Sequence, residues 1–170
     1  MSTLRLDVAP TPLEYFSALV ADDAHFSQLE AAVSVAQDEE PELDVQGVLH
    51  QVDALAAKLK ARIAADTAAL QRLRYLNRYF FQELGFAGNV NDYYDRRNSY
   101  LPDVLRTRRG IPITLALLYV ELASQVGLRA AGISFPGLLD EGGRLTAVNL
   151  GWRDFPLAAA LEEEARGTAL

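Results

Sequence analysis

A chain of 170 residues, half of them hydrophobic and 23% charged, has the make-up of one globular domain with room for a core. Its formal charge of −7 argues against nucleic acid or an anionic membrane as the main partner, because both reward clustered Lys and Arg. The chain has no cysteine, which excludes disulfides, thiolate metal sites and a cysteine nucleophile within it.

Residues 1–11 read as a lead-in without the apolar run of a signal peptide, and no stretch qualifies as transmembrane, so the cytoplasm is the expected compartment. Pro12 to Ala21 carries Leu13, Phe16, Leu19 and Val20 at helical spacing. Asp22 or Asp23 is placed to cap a second helix holding Phe26, Leu29, Val33 and Val35. The acidic break Gln37-Asp-Glu-Glu-Pro-Glu-Leu-Asp44 lacks the spacing of a calcium loop. It reads instead as negative charge gathered before a helix N-terminus, with Asp44 as N-cap.

Val45 to Ala64 is a long amphipathic helix with Val45, Val48, Leu49, Val52, Leu55, Leu59 and Ile63 on its apolar face and Lys58, Lys60 and Arg62 mainly off it. Asp66 is expected to cap a further helix with Leu70, Leu73, Leu76, Phe80 and Leu84 inside and Gly85 ending it. Arg72, Arg74 and Arg78 are interleaved with these core residues and read as a solvated face rather than a phosphate site. Phe86 to Asn98 is rich in turn residues, and Ser99 is placed to cap a short helix to Arg108 with Pro102 in its first turn. Arg106, Arg108 and Arg109 then sit near its negative end.

Pro112 suits the first turn of the next helix and Gly127 the left-handed position past its end. Between them Leu115, Leu118, Leu122 and Val126 form a stripe, and Ile113, Leu117 and Val120 are apolar off it. Such a helix is expected to be buried on nearly all sides. Leu128 to Phe135 follows as a strand, and Pro136-Gly137 as a turn. Glu141 to Arg144 would be a hairpin tip between 137–140 and 145–150, and Asp154 the cap of a last helix, Phe155 to Arg166. The sum is a mainly α (α+β) fold: N-terminal helices around a buried central helix at 113–126, with a small, reduced antiparallel sheet near the C-terminus.

Gly110-Ile-Pro-Ile-Thr-Leu-Ala-Leu-Leu-Tyr119, preceded by Tyr93-Tyr-Asp-Arg-Arg-Asn-Ser-Tyr-Leu101 and followed by Gly132-Ile-Ser-Phe-Pro-Gly137, resembles the SirB-type branch of the transglutaminase-like superfamily. The resemblance extends upstream through Leu76-Asn-Arg-Tyr79 and Glu83-Leu-Gly-Phe86 and covers roughly residues 22–137. It implies a single domain over 1–170, with a helical part at 12–84, the family core at 85–137 and a divergent or truncated tail at 138–170. A tail of that kind would leave an exposed edge and invite dimerisation.

The resemblance also implies a mechanism. Enzymes of this kind hold a Cys at the N-terminus of a buried helix, where free N–H groups and the dipole lower the thiol pKa and stabilise an oxyanion. A His on the following strand takes the proton, and an Asp orients the His. This chain has Thr114 at the nucleophile position and Leu138 where the family's His follows Phe-Pro-Gly. Asp140 could be a remnant of the third position, and the histidines, His25 and His50, lie upstream on N-terminal helices.

Two functional expectations follow. One is a non-catalytic module that binds a protein or small ligand, without cofactor or metal, through Tyr93, Tyr94, Asp95, Arg97, Asn98 and Thr114. In that loop aromatics beside Arg and Asn suit recognition. They equally suit a self-supporting turn, with Asp95 paired to an Arg, Asn98 in an Asx turn and the tyrosines packed on the central helix. The other is a hydrolase or acyltransferase with Thr114 as nucleophile, which needs a base from Asp92, Asp95 or Asp140. A threonine in a first helical turn more simply bonds backbone.

Overall fold

A computed structural model of the chain describes residues 10–22 and 26–128, and the backbone of three short strands at 138–139, 145–147 and 152–155. The chain divides into two compact units after residue 132.

The first unit is helical. α1 (Pro12–Leu19) opens with Thr11 and Glu14 capping each other's backbone, and α2 (Gln28–Ser34) starts at Ser27, whose hydroxyl accepts the Glu30 N–H at 3.2 Å. The cap is therefore Ser27 and not Asp22 or Asp23. Phe26 lies before the helix, and Val35 falls in a 3-10 turn that leaves it exposed. α3 (Val45–Lys60) starts as expected, with Asp44 Oδ1 accepting the Gly47 N–H at 2.9 Å. It buries Val45, Val48, Val52, Ala56 and Leu59, at about 1.5–3 kcal/mol for each of the larger side chains.

α4 (Ala69–Asn77) has no side-chain cap, so Asp66 does not fill that role, and Leu70 is 60% exposed. A π-turn (Arg78–Glu83) continues it; Phe80 is buried and Leu84 packs half-buried on the core as expected, whereas Leu73, like Leu70, is exposed. The Leu84 N–H reaches back to Tyr79 O at 2.8 Å, and Gly85 at φ +72° ends the run. The extra residue turns Tyr79 and Phe80 inward together. α5 (Leu101–Thr107) starts from Tyr100, with Ser99 spent in a 3-10 turn, and ends on Arg108 in the left-handed conformation.

Two two-residue strands, β1 (Ala87–Gly88) and β2 (Arg109–Gly110), pair in parallel and bring the chain leaving the π-turn beside the chain entering α6. α6 (Pro112–Gln125) is the central helix, with Pro112 at its first position. It ends on Gly127 at φ +74°, with Gly127 N–H to Ser124 O (2.9 Å) and Leu128 N–H to Ala123 O (2.9 Å), the double bond pattern of a Schellman motif. Arg72 locks that end. Its Nη1 donates to Val126 O at 2.9 Å, and its Nε and Nη2 to Thr67 O and Ala65 O, both at 2.7 Å. Arg72 is thus a clamp on three carbonyls, while Arg74 and Arg78 are exposed as expected.

α6 buries Thr114, Leu118, Leu122 and Ala123, with Val126 just beyond, but Leu117 and Val120 are half-buried and Ile113 is 53% exposed. Burial on one stripe, not on nearly all sides, is the outcome. The core around it joins α2, α3, α5 and α6 to Phe80 and Phe86, whose rings stack at 4.6 Å.

The second unit holds β3 (Leu138–Leu139), β4 (Leu145–Ala147) and β5 (Trp152–Phe155), paired antiparallel in that order with Leu139 opposite Leu145 and Leu145 opposite Phe155. Asp154 lies within β5, so it does not cap a helix there. The expected strand at 128–135, turn at 136–137, hairpin tip at 141–144 and last helix fall largely outside the described residues. The mainly α class holds, with a parallel strand pair that no sequence pattern announced.

Candidate functional site

The N-terminus of α6 meets the 89–99 loop at Thr114. Thr114 is buried, and its hydroxyl lies 2.9 Å from the carbonyl oxygens of Asn98 and Ile111, to which it donates its one proton. Asn98 O also accepts the Ile111 N–H at 3.2 Å. Among the described residues no imidazole or carboxylate is a hydrogen-bond partner of Thr114. A hydroxyl serving as nucleophile needs a base about 2.6–3.2 Å away. His50 is exposed on α3, and His25 and Asp140 lie outside the described residues.

Gly110 makes this contact fit. A Cβ there would lie 2.7 Å from Thr114 Oγ1 and 3.0 Å from both methyl carbons of Val104. Gly110→Ala is therefore expected to destabilise the fold by about 1–3 kcal/mol, read from urea unfolding, through overpacking alone.

Asn98 organises the loop. It is 3% exposed, and its Nδ2 donates to Asp92 O (2.8 Å) and Tyr93 O (3.2 Å) while its Oδ1 accepts from Asn89 Nδ2 (3.0 Å). It bonds backward to carbonyls instead of forming an Asx turn. The Asx turn belongs to Asp95, whose Oδ1 accepts the Arg97 N–H at 2.9 Å. Asp95 also grips the Arg97 guanidinium, with Oδ2 to Nη2 at 2.6 Å, and that pairing holds the carboxyl below its usual pKa range. Arg96 reaches Glu39 at 2.6 Å. Asp92 is exposed, and its N–H donates to Asn89 Oδ1.

Tyr93 and Tyr94 do not pack on the central helix. They are 57% and 93% exposed, edge to face with ring centroids 5.3 Å apart, and Val90 beside them is 89% exposed. The structure thus joins Thr114 to Asn98 directly and ties Asp95 to Arg97, and it leaves the two tyrosines on the surface of an anchored loop. Asn89 is the member the sequence reading missed, and only its position among turn residues hinted at it. Among the described residues there is no group of three metal-ligating side chains and no helix long and apolar enough to cross a membrane.

The family model described as the transglutaminase-like superfamily matches residues 46–139, a segment that includes α3 from its second residue, the whole Asn98 loop and α6. The chain belongs to the transglutaminase-like superfamily. Similar sequences include a UPF0162 protein of Xylella fastidiosa strain 9a5c, 36% identical over 71% of this chain and 43% of the relative. A UPF0162 protein of Vibrio cholerae is 30% identical over 64% of this chain and 40% of the relative. The mouse F-box only protein 21 is 31% identical over 67% of this chain and 22% of its own length. The chain thus spans less than half the length of these curated relatives. No solved structure matches it.

Proposed function

We propose that this chain is a SirB-type transglutaminase-like domain that has given up acyl transfer and serves as a protein-binding or regulatory module, working in the cytoplasm. One observation carries the reading: the hydroxyl at the nucleophile position, on Thr114, is spent on backbone carbonyls, while the loop fixed to the same carbonyl holds Tyr93 and Tyr94 outward. The chain's lack of cysteine and the Leu138 at the family's His position support it. Exposed aromatics on a loop held by internal hydrogen bonds bind without a large ordering cost, because the conformation is already set. Tyr93 and Tyr94 supply the contact area, Asp95 and Arg97 fix the turn, and Asn98 and Thr114 fasten it to α6.

The alternative, a hydrolase or acyltransferase using Thr114, requires that hydroxyl to leave two carbonyls for a base. Tyr93→Ala/Tyr94→Ala is expected to retain its circular dichroism and melting temperature, since both side chains are exposed, yet to lose partners captured by the parent chain. Retention of every partner by that variant would contradict the proposal.

A further inference from the structure

On α3, Gln51 and Leu55, and Ala54 and Lys58, are four residues apart and share one face of the helix. That face lines a cleft of about 240 Å³ whose other wall is Leu105 and Arg108 from the end of α5. Three features set Arg108 apart. It is the one non-glycine residue with positive φ among the described residues, at 60°. Its guanidinium lies 4.7 Å from the centroid of the Phe86 ring, with Nη1 buried and without a hydrogen-bond partner on that side. Among the described residues neither it nor Lys58 is in a salt bridge, although the chain is acidic and Arg62, one helical turn beyond Lys58, pairs with Glu83. Tyr79, an electrostatic neighbour of Arg108, has a buried hydroxyl that likewise lacks a partner.

A left-handed C-terminal position is where a helix normally takes glycine, because a side chain there is strained. Strain kept at a cation that lines an open cleft and has no ion-pair partner among the described residues points to an anionic ligand there. We propose that the cleft between α3 and α5 binds a compact organic anion, a phosphate or carboxylate group on a short apolar stem. Arg108 and Lys58 hold the charged oxygens, Gln51 supplies an amide, and Ala54, Leu55 and Leu105 cover the stem. The volume is below that of ordinary drug-sized pockets, so the ligand is small.

The test is an amide NMR titration of the whole chain with n-butyl phosphate, butyrate, inorganic phosphate and n-butylamine. Saturable shifts confined to Gln51, Leu55, Lys58, Leu105 and Arg108 are expected with the two butyl anions, with Kd on the order of 1 mM, and none with the amine. The tighter of the two anions names the head group, and either result supports the site. Arg108→Gly relieves the backbone strain while deleting the guanidinium, so it is expected to fold and to bind at least about tenfold more weakly, as is Lys58→Gln. Inorganic phosphate binding as tightly as n-butyl phosphate would overturn the apolar stem. Absence of saturable shifts with both anions, or undiminished binding by folded Arg108→Gly, would overturn the site.

Discussion

Phe80→Ala is expected to lower unfolding free energy by about 3–5 kcal/mol, the cost of a large cavity in a core that cannot collapse around it. Phe80 is fully buried, stacks on Phe86 at 4.6 Å and meets Tyr119 edge-on at 5.3 Å. The three rings come from the π-turn, the segment just after it and α6, so Phe86 cannot move into the space without shifting backbone that the Phe86-to-Phe80 hydrogen bond holds, nor Tyr119 without shifting α6. Phe81, next in sequence and 54% exposed, gives the comparison, and Phe81→Ala should cost far less. Urea midpoints with unchanged slope would check both. Equal losses at the two positions would mean that the π-turn does not set which ring faces inward.

Asn98→Ala is expected to cost about 2–4 kcal/mol, since it removes three hydrogen bonds and leaves Asp92 O, Tyr93 O and the Asn89 amide in partly buried surroundings. Asn98→Asp sharpens the argument. It keeps shape and volume but sets a carboxylate against two carbonyl oxygens that the Asn98 amide had served as donor. It should therefore destabilise at least as much at neutral pH and recover part of the loss as pH falls toward about 4, because the facing carbonyls make the folded carboxyl take its proton above the unfolded value. Chemical denaturation at pH 7 and pH 4 reads this directly. An Asn98→Asp chain as stable as the parent at pH 7 would show that the amide donors do not hold the loop.

The parent loop has an acid-sensitive tie of its own, between Asp95 and Arg97. Arg97 lowers the Asp95 pKa in the folded state, so the stability this pair adds is present above the usual carboxylate range and is lost as pH falls through the lowered value. The Arg97 partner is exposed to solvent, so the loss is confined to the loop's own order and adds little to global stability.

Much of the fold was legible where local chemistry decides it. Pro112 and Gly127 bracket α6 because one needs no N–H and the other tolerates a left-handed backbone. Asp44 caps α3 because a carboxylate three residues before an N–H suffices. Misreadings arose where tertiary geometry decides. Asp66 and Ser99 are good capping residues on paper, but the helices begin three and two positions later. Leu70 and Leu73 continue the apolar spacing of Leu76, Phe80 and Leu84, yet α4 leaves both exposed because no element of the core covers that part of the helix. β1 and β2 are two residues each, too short for any alternation to register. Arg72 looked like a surface cation because its three carbonyl partners, one of them 54 residues away, leave no mark on the local sequence.

At the candidate site the residue types were legible and their roles only in part. Asp95 with Arg97 is a neighbour pair that sequence can anticipate. The bond from Thr114 to Asn98 O spans 16 residues and depends on β2 delivering Gly110 beside it, with no side chain in the way. The tyrosines' exposure follows from the loop's backward bonds through Asn98, which use up the inward-facing positions.

Turnover of a panel of activated acyl esters and amides by the parent chain and by Thr114→Val bears most directly on whether Thr114 ties backbone instead of attacking substrate. The expected result is release no faster than in buffer for both proteins, with Thr114→Val less stable by about 1 kcal/mol for its lost hydrogen bond. Hydrolysis by the parent chain that disappears in folded Thr114→Val would contradict it.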